Sequence, residues 1–178
     1  EADLVRRYRN MALVPEVDTA IEDICNESIS SNDLDAPVSI NLDRVMGIPD
    51  ATKEKVRKEF GEVLTMLGFR TLSHDIFRKW YVDGRLYYHK LLDDKSPKQG
   101  LVGLRPIDPQ KIRKIREVKK EKDEKTGVEV VTNIDEYYIF NDQGFDKSGN
   151  NTGQTLRIHP DSIAYVTSGL IDYNKTVV

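Results

Sequence analysis

The sequence predicts an α+β domain, with N-terminal helices packed on a mainly antiparallel sheet. Three observations carry that prediction. Helical spacing of apolar residues fills the first half of the chain and strand-like alternation the second, which argues against an alternating parallel fold. The period changes abruptly inside one stretch, Phe77 to Asp93 (FRKWYVDGRLYYHKLLD), which also holds the only tryptophan. A chain of 178 residues, 38% hydrophobic and 32% charged, suits one soluble domain over residues 1–178.

Glu1 to Leu13 reads as a short helical appendage, with Leu4, Val5 and Tyr8 on its apolar side and Arg6, Arg7 and Arg9 making it basic. Pro15 suits the first position of a second helix, and Glu16 and Asp18 put negative charge where the helix dipole favours it. Val17, Ala20, Ile21, Ile24, Cys25 and Ser28 form one stripe of that helix, which ends near Ile29. After a polar loop, Val38 to Asp43 alternates like a half-buried strand. Pro49 and Asp50 open the clearest helix, with Asp50 as N-cap and Val56, Phe60, Val63, Leu64 and Leu67 on one face. Gly68 closes it in the left-handed conformation.

From Leu72 onward, Leu72, Ile76, Phe77, Trp80 and Tyr81 fall on one face of a helix that stops at Gly84. Beyond Gly84 the residues alternate, with Leu86, Tyr88 and Leu92 on one side and Tyr87, His89 and Leu91 on the other. A strand that is bulky on both faces belongs near the centre of a covered sheet. Phe77, Trp80, Tyr81, Gly84 and Tyr88 thus make a structural hinge between helix and strand. Asp93 to Gly103 reads as a loop, Leu104 to Ile107 as a short strand and Asp108-Pro109 as a turn. Ile112 to Val118 reads as a strand, Lys119 to Gly127 as a polar hairpin tip and Val128 to Val131 as the return. Glu136 to Phe140 is a further strand, and Asn141 to Gly153 a loop. Gln154 to Ile158 and Ile163 to Thr167 are two last strands around His159-Pro160-Asp161.

Chemistry is scarce in this pattern. The 27 basic and 30 acidic groups leave a net charge of −3, so no global field favours nucleic acid. One cysteine, Cys25, excludes an internal disulfide, fits a reducing compartment and sits in an apolar stripe, where it reads as a buried hydrophobe. His74, His89 and His159 share no metal-ligand spacing, so no metal and no catalytic residue is assigned. A calcium loop starting at Asp146 fails at its sixth and twelfth positions, which are Asn151 and Arg157. No phosphate-binding loop, dinucleotide fingerprint or nucleophile elbow occurs, so no cofactor is expected. Nor is there an apolar run long enough for a membrane span. The one local charge feature is Lys111, Arg113, Lys114, Arg116, Lys119 and Lys120, a candidate interface or DNA contact. Its plainer reading is a solvated hairpin whose charges blunt an edge strand.

Several stretches resemble a known family. YRNMALVPEVDTAIEDICNESI (Tyr8 to Ile29), the hinge stretch Phe77 to Asp93, LRPIDPQKIRKIREV (Leu104 to Val118), EYYIF (Glu136 to Phe140) and IHPDSIAYVTSGLID (Ile158 to Asp172) are similar to the portal vertex protein of T-even-like contractile-tailed bacteriophages. They occur in the same order and span most of the chain, while Lys119 to Asn133 and Asn141 to Gly153 do not match.

The resemblance implies a non-enzymatic structural role. Portal proteins form a dodecameric ring at one capsid vertex, nucleate head assembly, pass double-stranded DNA and hold the tail connector. Their partners are further copies of themselves, the major capsid protein, the terminase and head-completion proteins. The implied location is the virion, after assembly in the host bacterial cytoplasm. This chain resembles the N-terminal part of the portal wing, with stem, clip and crown absent. A start on Glu1 and a stop on Val178 straight after a strand-like region likewise read as a piece of a longer chain. The terminase and head-completion contacts are therefore expected elsewhere. On this reading the Trp80 hinge supports the wing core and the basic hairpin is a candidate subunit or capsid interface. Two other classes stand beside it: a nucleic-acid-binding module using the 111–122 ribbon, and, far behind, a small hydrolase built on His89 or His159.

Overall fold

The computed structural model of the chain describes residues 2–29, 38–93, 95–96, 100–122, 129–145 and 154–170. Among the described residues four α-helices come first: α1 (Ala2–Met11), α2 (Pro15–Ser28), α3 (Asp50–Met66) and α4 (Phe69–Asp83). Six strands follow: β1 (Arg85–Leu92), β2 (Leu101–Ile107), β3 (Ile112–Lys122), β4 (Glu129–Asn141), β5 (Thr155–Ile158) and β6 (Ile163–Thr167). The architecture is α+β, as the residue pattern predicts. Every strand pair is antiparallel, but the strands divide into two sheets, ordered β2-β1-β6 and β3-β4-β5.

The hinge strand lies where its two bulky faces require. β1 is central in its sheet, with Tyr87 opposite Ile107 on one side and Tyr165 on the other. Tyr87, Ile163, Ile112 and Tyr138 form the core between the two sheets, joined by Ile107, Ile158 and Tyr165. Tyr87 stacks on Tyr165 with ring centroids 4.7 Å apart and meets Tyr138 edge-on at 6.1 Å. A second core holds the helices together, with Ala12, Ile21 and Cys25 buried against Val17, Phe77 and Val82. Cys25 is fully buried there, as its stripe predicts.

Several local expectations are corrected. Residues 38–43 form no strand: the Asn41 side chain accepts the Asp43 N–H at 2.9 Å, and the chain turns. An Asx turn of this kind competes with extended pairing, and no described strand lies alongside to win that competition. Asp50 is the first residue of α3 rather than its cap; Pro49 holds the cap position and no side chain caps the helix. Gly68, with φ 58°, ends α3 as expected, yet α4 begins immediately after it, three residues before Leu72. β2 starts at Leu101 within the expected loop, and β3 runs on to Lys122.

The expected return strand and the EYYIF strand are one strand, β4, accommodated by a register shift where Lys119 opposes Asn133 and Lys120 opposes Val131. Of the expected hairpin tip at 119–127, the first four residues, Lys119 to Lys122, belong to β3, and the remainder lies outside the described residues, as does most of the rejected calcium loop. Finally, β5 and β6 are not partners. A short 3-10 helix, Pro160–Ser162, carries the chain from the second sheet to the first. α1, expected as an appendage, buries Ala2 and Val5 completely or nearly so and packs against α4.

Candidate assembly interface

The helix-to-strand reversal depends on Gly84. Its φ of 68° and ψ of 0° lie where a Cβ is penalised, and its N–H donates to the Trp80 carbonyl at 2.9 Å. Its own carbonyl accepts the Ser168 N–H at 2.8 Å, tying the hinge to the end of β6. Phe77 packs into the helix core and lies 5.5 Å from Trp80 and 6.3 Å from Tyr81, ring centre to ring centre. Tyr81 itself is 44% exposed, so it covers Phe77 rather than filling the core. Tyr88 points to the opposite side, where burial pushes its hydroxyl pKa up.

Residues invisible to pattern reading hold the hinge in place. Asp83, directly before Gly84, is 3% exposed, and Arg85 directly after it is 1% exposed. The Arg9 guanidinium from α1 donates to both Asp83 carboxylate oxygens, Nε at 2.8 Å and Nη2 at 2.7 Å. The same guanidinium donates to both oxygens of Asp108, each at 3.1 Å. One side chain thus joins α1, the end of α4 and the β2–β3 turn. Burial alone raises the Asp108 pKa, but hydrogen bonds from Arg9 and the Gln110 N–H outweigh it and hold it below the usual carboxylate range. Arg78 makes a second clamp, from α4 to Asp18 and Glu22 of α2, the latter at 2.8 Å. The basic character of the first helix hinted at the Arg9 clamp, and nothing in the residue pattern pointed to the Arg78 one.

Beside the Arg9 clamp lies an open cleft of about 430 Å³ between α3, α4 and the first sheet. Its apolar lining includes Leu67, Leu72, Leu86, Tyr88, Leu104 and Pro106. α3, on its rim, has no fully buried residue.

The basic ribbon is not one patch. Strand alternation sends Lys114 and Arg116 to one face and Arg113 and Lys119 to the other, with Lys111 in the preceding turn. Each described cation has a partner within the ribbon or beside it. Lys111 pairs with Asp142 at 3.0 Å, Lys114 and Arg116 share Glu136 at 2.8 and 3.6 Å, and Lys119 meets Asp135 at 3.6 Å. Arg113 lies over the Phe145 ring, 4.3 Å from its centre. The Lys120 side chain is outside the described set. Such exposed pairs add little stability, but they neutralise charge that a phosphate backbone would otherwise meet.

The histidines are dispersed. His74 on α4 is 3.4 Å from Glu22, His89 is in β1, and His159 accepts the Asp161 N–H before the 3-10 helix. Among the described residues no group of three or more His, Cys, Asp or Glu could hold a metal ion. No described helix is long and apolar enough to cross a membrane.

The family model for the bacteriophage T4-like portal protein (Gp20) matches residues 1–178. The chain belongs to that family. A portal protein of Vibrio phage KVP40 is 37% identical over 174 residues, which cover 95% of this chain and 33% of the relative. A portal protein of Salmonella phage ViI is 33% identical over 176 residues, covering 93% of this chain and 31% of the relative. The chain therefore spans about a third of the length of these curated relatives. The family match extends through the 119–133 and 141–153 stretches whose sequence carries no resemblance by eye. In this T4-like portal chain, then, the charge-paired ribbon and the clamped hinge both belong to the family's portion of sequence.

Proposed function

We propose that this chain is part of a structural subunit of a phage portal, a homo-oligomeric ring of twelve copies at one capsid vertex. Double-stranded DNA passes through that ring during packaging and ejection. The observation that carries this reading is the family match over the whole length of the chain. The role of this portion is contact with neighbouring subunits and with the major capsid protein. Terminase and head-completion proteins engage regions beyond residues 1–178, and the ring resides in the virion after assembly in the host cytoplasm. The net charge of −3 and the paired ribbon suit a ring that lets DNA slide rather than grip it.

The test is electron microscopy of the full-length protein, with subunits counted in each particle. Closed rings with a central hole are expected. Monomers or open aggregates only, across several salt concentrations, would overturn the proposal.

A further inference from the structure

The β3–β4 ribbon extends past the core that supports it. β5 pairs with β4 only from Tyr138 to Asn141, and Ile112 and Tyr138 are the ribbon's contribution to the buried core. From Arg116 to Lys119 every β3 side chain is exposed. On this outer half Val118 and Ile134 face each other in register, each 44% exposed. An apolar cross-strand pair held away from the core, on a two-stranded ribbon that is marginal by itself, marks a contact surface.

The same chain carries the open apolar cleft beside the Arg9 clamp. No described β3 or β4 residue lines it. Its wall ends at Pro109, and Val118 lies six residues beyond the start of β3 at Ile112, about 20 Å along an extended strand. The described part of the ribbon therefore does not fill the cleft of its own molecule. The charges also match between copies. The knob face carries Lys114 and Arg116 against Glu136, one net positive, and the cleft carries Asp75, Asp83 and Asp108 against Arg9 and Lys79, one net negative.

We infer that the Val118–Ile134 pair of one copy docks into the α3–α4 cleft of a second copy of this chain. The two surfaces differ, so the contact is heterologous and propagates head to tail, which is the kind of contact that closes into rings. The inference rests on the portal-ring reading and deepens it by naming the two surfaces that meet.

Two variants of the full-length protein test it. Val118→Asp with Ile134→Asp changes only exposed side chains, so the thermal melt should be unaltered while rings fall about tenfold at fixed protein concentration. Val118→Cys with Leu72→Cys, treated with a short bis-maleimide, should give a ladder of cross-linked copies that neither single variant gives; Cys25 is buried and does not compete. Rings that persist in the double aspartate variant, or rings without a ladder, overturn the docking and leave the portal reading intact. An unmodified protein that forms no rings sinks both.

Discussion

Replacing Arg9 by Ala should detach α1 from the hinge. The loss removes two hydrogen bonds to Asp83, at 2.8 and 2.7 Å, and two to Asp108, at 3.1 Å each. The side chains differ in exposure: Asp83 is 4% exposed, Arg9 37% and Asp108 38%. Stripping the partner from a fully buried ion costs about 3–5 kcal/mol. An exposed pair contributes about 0–1 kcal/mol. With one end buried and the other over a third exposed, Arg9→Ala is expected to cost about 2 kcal/mol. For a chain of this size that lowers the melting temperature by about 4–8 °C. Arg9→Lys keeps the charge but not the planar fork, and should recover only part of the loss.

The clamp also has a pH signature. The Asp108 carboxyl has a lowered pKa in the folded state, so its contribution is present above the unfolded carboxylate pKa and is lost as pH falls through the folded value. The difference between wild type and Arg9→Ala should therefore hold at neutral pH and shrink below about pH 4. Urea melts at pH 7 and pH 3 measure both quantities. A neutral-pH loss under about 0.5 kcal/mol, the value for a solvated surface pair, would refute the argument that Asp83 needs Arg9.

Other outcomes follow from single features of the structure. Gly84→Ala forces a Cβ into the left-handed region at φ 68° and should cost about 1–2 kcal/mol, read by urea denaturation. Ile112→Ala empties a fully buried site between the sheets and should cost about 2–5 kcal/mol, whereas Ile112→Val should cost about 1 kcal/mol, measured the same way. Glu136→Gln releases Lys114 and Arg116 from their shared carboxylate, so duplex DNA binding measured by anisotropy at low salt should tighten; no change would mean that pairing is not what masks the ribbon. Cys25 is buried and its thiol pKa is raised, by burial first and by Glu22 second, so a thiol reagent should label it slowly when native and at once in denaturant.

Local chemistry was sufficient for the elements whose cause is local. Pro15 opens α2, Gly84 stops α4, and the change of period after Gly84 identifies a central strand, because φ preferences and side-chain periodicity act within a few residues. Cys25 was legible as core for the same reason. The stretches that resemble portal proteins also lay open in the sequence, and the family match over 1–178 agrees with them.

Tertiary structure decided whatever depends on a distant partner. Residues 38–43 alternate like a strand but have no described neighbour to pair with, so a side-chain turn takes the backbone instead. β5 and β6 follow one another around a single turn, yet each pairs in a different sheet. Arg9 looks like surface charge until Asp83, 74 residues away, is brought against it in a buried position. The basic ribbon reads as a run of free positive charge until β4 brings Asp135 and Glu136 beside Lys119 and Lys114. Pairing and burial are set by which groups meet across the fold, and residue spacing along the chain carries little information about that.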